Sequence, residues 1–82
     1  MGTVEDGTLN SLGAPLSPRE REVLTLMATG LEMDQIAEEL TISRTTVRTH
    51  IHNAHRKLGA RNRPHAIAIA MQRDLIIRPS SL

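Results

Sequence analysis

Apolar residues recur along this chain at helical rather than strand spacing. Val23, Leu24, Met27 and Ala28 line one side of a helix predicted over about 18–29. Ser17 suits its N-cap, Pro18 its first position and Glu20 the reciprocal place in an S-x-x-E capping box, and Gly30 closes it. Ile36, Ala37 and Leu40 share one side of LEMDQIAEEL, which predicts a short second helix over about 33–40. After a tight break at Thr41–Ser43, with Ser43 as the next cap, a third helix is expected over about 44–58 until Gly59 stops it. Val47, Ile51, Ala54 and Leu58 fall within roughly 60° of one another on that helix, so they form its buried stripe. Asn62 or Arg63 caps a fourth helix over about 64–73, with Pro64 in its first turn. The short apolar run Leu75–Ile77 is the one strand-like signal. These elements predict an all-α, four-helix bundle-like domain containing a helix-turn-helix over 16–77, a flexible lead-in over 1–15 and a tail over 78–82.

The length of 82 residues allows one small domain, and a chain of that size buries only about 60% of its unfolded surface, which excludes a large enzyme core. Without Cys, disulfides, thiolate metal sites and cysteine nucleophiles are ruled out. The sequence carries no run of about 18 apolar residues and no secretory signal pattern, so a soluble, cytoplasmic protein is expected. Phe, Trp and Tyr are absent as well, which removes the rings on which single-stranded nucleic acids usually stack.

The net charge of +1 hides an asymmetry. Residues 1–40 hold two basic and eight acidic side chains, net −6, whereas residues 41–82 hold eight basic side chains against Asp74 alone, net +7. Such a split points to a basic face for a polyanion; the competing reading is a solvated mixture that the fold neutralises.

The third helix decides between them. Opposite its apolar stripe stand Thr45, Arg48, Thr49, His52 and Arg56, flanked by Thr46 and Asn53. Each can donate a hydrogen bond and none is acidic, which suits a helix entering the major groove of DNA. There an arginine grips guanine O6 and N7 in a contact worth about 1–3 kcal/mol of discrimination. Hydroxyls and free amides near the helix start suit phosphates. His50, His52 and His55 form H-x-H-x-x-H, but His50 points roughly 160° from His52, so no metal site is expected. Protonation of His52 and His55 near phosphates would raise affinity as pH drops from about 7.5 to 6. Glu20 and Glu22 read as first-turn residues rather than an acid–base pair, and nothing calls for a cofactor or makes the chain an enzyme.

At this point the chain resembles the LuxR-type (GerE-type) helix-turn-helix domain of bacterial transcriptional regulators, including response regulators. The resemblance rests on LSPREREVL (16–24), G-L-x-x-x-x-I-A-x-x-L (30–40), I-S-x-x-T-V-R-x-H (42–50), N-x-x-R-K-L-G (53–59) and R-N-R (61–63) followed by A-I-A (66–68). It implies sequence-specific binding of double-stranded DNA as a dimer, with the third helix in the major groove. It also implies base contacts from the positions of Arg48, Thr49 and His52. Ser43, Thr45, Thr46, Asn53 and Arg56 are expected at the backbone.

Two positions depart from the pattern. Asp34 stands where the family places a basic phosphate contact, and Asp74 where it often has a helix-ending glycine. The fourth helix is apolar on almost every side, so Ala66, Ile67, Ile69, Ala70 and Met71 are expected to pair it into a homodimer. The alternative encloses that helix beneath the lead-in. A rival function is a protein-interaction module of the same fold, docking RNA polymerase or an upstream sensor domain with weak DNA binding.

Overall fold

The computed structural model describes residues 12–76. They form four helices and, among the described residues, no strand: α1 (Pro18–Ala28), α2 (Met33–Leu40), α3 (Arg44–Leu58) and α4 (Arg63–Gln72). Each boundary lies within one residue of the expected one because short-range caps set it. At α1, Ser17 Oγ accepts the Glu20 N–H at 3.1 Å while Glu20 Oε1 accepts the Ser17 N–H at 2.9 Å, the reciprocal box read from the sequence. At α3, Ser43 Oγ accepts the Thr46 N–H at 3.0 Å. At α4, Asn62 Oδ1 accepts the His65 N–H at 2.9 Å, which settles the cap on Asn62. The N-terminus of α2 lacks a short hydroxyl cap; instead Gln35 Oε1 accepts the Glu32 N–H at 2.8 Å.

Helix ends set the connections. The turn between α2 and α3 is Thr41–Ser43, with Thr41 in the left-handed region at φ 57°. A β-branched residue resists that conformation. The Ile42 N–H donating to the Ala37 carbonyl at 3.0 Å, with Ile42 packed against the core, offsets the strain. Gly59 ends α3 at φ 70°, and the Ala60 N–H donates to the His55 carbonyl at 2.9 Å. Gly13, within the stretch read as a lead-in, donates its N–H to the Lys57 carbonyl at 2.9 Å. A terminal carbonyl of α3 is thus satisfied from a segment ahead of α1.

The core is wholly aliphatic and lies between α3 and the other three helices. Val23, Leu24 and Met27 of α1, Ile36 and Ala37 of α2, and Val47, Ile51, Ala54 and Leu58 of α3 are buried, as their periodicity predicted. Ala28 and Leu40 pack against this cluster while partly exposed. Leu16 and Ile76 close the core from outside the helices. The strand-like signal at Leu75–Ile77 therefore marks core-closing residues; Ile77 itself lies outside the described residues, as do residues 1–11 and 78–82 of the expected lead-in and tail.

The residues expected to form a dimer face on α4 differ in exposure. Ala66 and Ala70 are 0% exposed and belong to the core of this chain. Small residues on that side let α4 approach α3 and α1. Ile67, Ile69 and Met71 are partly buried, and Ala68 is exposed.

Candidate nucleic-acid interface

Burial of Val47, Ile51, Ala54 and Leu58 fixes the rotation of α3 and so selects what it shows to solvent. Thr45, Arg48, Thr49 and His52 are exposed, and Ser43 is exposed at the cap. Thr46, Asn53 and Arg56 are partly buried at the margins. The eight residues expected to meet DNA thus lie along one helix and its cap, with no carboxylate among them.

Local hydrogen bonds determine what these groups can still offer. Thr49 Oγ1 donates to the Thr45 carbonyl at 3.1 Å, so its proton is used within the helix while its lone pairs and methyl remain outward. Ser43 Oγ and Thr46 Oγ1 lie 2.8 Å apart, joined by a hydrogen bond in which either hydroxyl can donate. The Arg48 side chain makes no hydrogen bond or ion pair among the described residues, which leaves its guanidinium fork open.

The histidines differ from one another. His52 is exposed, whereas His50 and His55 are partly buried. Among the described residues, Nε2 of His55 is buried without a hydrogen-bond partner. Burial, and after it the charges of His52 and Arg63, hold the His55 imidazole below its usual pKa. Burial thus opposes the protonation expected of His55. Among the described residues no group of three or more His, Asp or Glu is arranged to hold a metal ion.

Two interactions were not foreseen from the sequence. Arg44, the first residue of α3, places Nε 3.0 Å from Asp34 Oδ1 of α2. Lys57 Nζ lies 2.7 Å from Glu20 Oε1 and ties the last turn of α3 to the first turn of α1. Spacing along the chain signals neither pair. Arg44 could have been singled out from its position one helical turn before Arg48. A groove of about 640 Å³ between α1 and the turn after α4, lined by Leu16, Pro18, Arg21, Thr25 and Leu75, shares no residue with the α3 face.

A short helix joined by a three-residue turn to a longer one, whose polar side faces outward, defines a helix-turn-helix domain. Residues 14–70 match the family model for bacterial regulatory proteins of the luxR family (GerE). The chain is 46% identical over 59 residues to the HTH-type transcriptional regulator MalT of Serratia proteamaculans, covering 72% of this chain and 6% of that protein. It is 44% identical over 70 residues to the transcriptional activator protein CarR of Pectobacterium carotovorum, covering 85% and 29%. It is 40% identical over 65 residues to the transcriptional regulatory protein YxjL of Bacillus subtilis, covering 79% and 30%. The chain belongs to the luxR family of bacterial regulatory proteins, and DNA binding in transcription regulation is its class of function. The matched segment spans less than a third of the length of each of these relatives. No helix among the described residues is long and apolar enough to cross a membrane.

Proposed function

We propose that the chain binds double-stranded DNA sequence-specifically with α3 in the major groove, as the DNA-binding part of a transcriptional regulator acting in the cytoplasm. The observation that carries this reading is the exposed, acid-free face of Thr45, Arg48, Thr49 and His52, held outward by a stripe of buried aliphatic residues.

In this reading Arg48, Thr49 and His52 contact bases. The open fork of Arg48 suits guanine, while the outward Thr49 methyl and lone pairs suit a thymine methyl or an amino group. Ser43, Thr45, Thr46, Asn53 and Arg56 contact the backbone, aided by the free amides and partial positive charge at the N-terminus of α3. Ile67, Ile69 and Met71, with exposed Ala68 between them, supply the apolar surface for a two-fold dimer through α4, and Ala66 and Ala70 support it from within. Such a dimer would set two copies of α3 about one DNA turn, roughly 34 Å, apart.

A docking role toward RNA polymerase or a sensor domain keeps one supporting feature, the exposed acids Glu32, Asp34, Glu38 and Glu39 on and beside α2. Selection of randomised duplex DNA on the purified chain, followed by salt titration of the recovered sequences, separates the two. The DNA reading expects enriched half-sites in two-fold relation and a log–log salt slope near −0.9 per phosphate contacted. Unenriched pools with salt-insensitive or undetectable association would overturn it.

A further inference from the structure

Asp34 and Arg44 are joined where the duplex backbone would first meet α3. Arg44 Nε stands 3.0 Å from Asp34 Oδ1, and the two side chains are 59% and 74% exposed. A pair so open to water is screened and contributes little to folding, so stability does not account for its position. Arg44 is the first residue of α3 and precedes Arg48 by one turn, at the helix end where unpaired amides face outward beside the Ser43 cap. An anion approaching that end finds the guanidinium already holding a carboxylate.

We propose that Asp34 acts as an internal phosphate mimic, occupying Arg44 in the free protein and lowering affinity for duplex DNA of every sequence. The inference rests on the DNA reading above. When the backbone arrives, Arg44 can exchange the carboxylate for a phosphate, but Asp34 is then left as an unpaired negative charge beside a polyanion. The pair thus brings no net cation to the interface, and Arg44 releases few counterions of its own. Base discrimination by Arg48, Thr49 and His52 is untouched, because the penalty falls on a backbone contact that all sequences share. Asp34 is in this sense a positioning residue, acting on DNA through Arg44.

The test measures binding of the purified chain to a fluorescent short duplex of randomised sequence by anisotropy, across a salt series, for wild type, Asp34→Asn, Arg44→Gln and the double variant. Both residues are exposed, and a thermal melt of each variant confirms that the fold is kept. Asp34→Asn should bind about three- to tenfold tighter near 0.1 M salt, with a log–log slope steeper by about 0.9, the signature of one more phosphate contact. Arg44→Gln alone should weaken binding, because it leaves Asp34 unpaired, and added to Asp34→Asn it should return affinity to about the wild-type value. Wild type that binds with a steep salt slope while Asp34→Asn matches it overturns this inference alone, as does a gain that survives Arg44→Gln. Wild type without salt-sensitive association overturns the DNA reading, and this inference with it.

Discussion

Lys57 Nζ lies 2.7 Å from Glu20 Oε1, and the same oxygen accepts the Ser17 N–H at 2.9 Å. One carboxylate, on a residue only 5% exposed, therefore starts α1 and anchors the last turn of α3. Burial pushes the Glu20 pKa up, but the hydrogen bonds from Lys57 and the Ser17 N–H, together with the Lys57 charge, outweigh it and hold it below the ordinary carboxylate value.

Lys57→Met should strand that carboxylate and destabilise the domain by about 2 kcal/mol in urea unfolding at neutral pH. That is less than the ~3–5 kcal/mol typical of breaking a fully buried pair, because Lys57 keeps some contact with water. A folded-state pKa below the unfolded one means that the stabilisation is present above the unfolded pKa and lost as pH falls through the folded one. Stability should thus decline on acidification below about pH 4.5, and Glu20→Gln should flatten that decline.

His55 contributes in a higher window. Its folded pKa is depressed, so the unfolded chain takes up a proton first and stability falls as pH drops below the ordinary value of 6.5. Urea midpoints measured between about pH 7.5 and 5.5 should fall for wild type and vary less for His55→Gln. DNA affinity should respond differently over the same range: any rise on acidification should persist in His55→Gln, because burial opposes protonation of that imidazole.

Arg48→Ala should relax base preference, with a loss of about 1–3 kcal/mol of discrimination at one position of the half-site. Arg56→Ala should weaken all sequences about equally and reduce the salt slope by about 0.9. Competition binding against single-base variants of a selected site reads both outcomes. Equal losses on every sequence for Arg48→Ala would remove it from base reading.

Asp74 follows α4 at φ 56°, a left-handed conformation in which a side chain costs about 1–2 kcal/mol relative to glycine. The Leu75 N–H donating to the Ala70 carbonyl at 2.8 Å, with Leu75 packed against the core, holds the turn in place. Asp74→Gly should therefore stabilise the domain by about 1 kcal/mol and raise its melting temperature by about 4–8 °C, as calorimetry can check.

The limits of sequence reading follow from the same residues. Helix boundaries were legible because Ser17, Ser43, Gly59 and Asn62 act on backbone three or four residues away. The rotation of α3 was legible because its apolar stripe is narrow. On α4 the pattern is apolar all round, so periodicity gave no direction, and tertiary contact alone turned Ala66 and Ala70 inward and left Ile67, Ile69 and Met71 nearer the surface. The Asp34–Arg44 and Glu20–Lys57 pairs join different helices, and no local spacing announces them. His55 looked equivalent to His52 until its environment separated them, because burial is a property of the packed domain.

The bond from the Gly13 N–H to the Lys57 carbonyl carries a mechanical corollary. The peptide entering the domain is pinned to the C-terminal end of α3 before it turns into α1. Whatever pulls on the chain ahead of Gly13 pulls on the tip of that helix, so the direction of entry and the tilt of the helix are coupled variables.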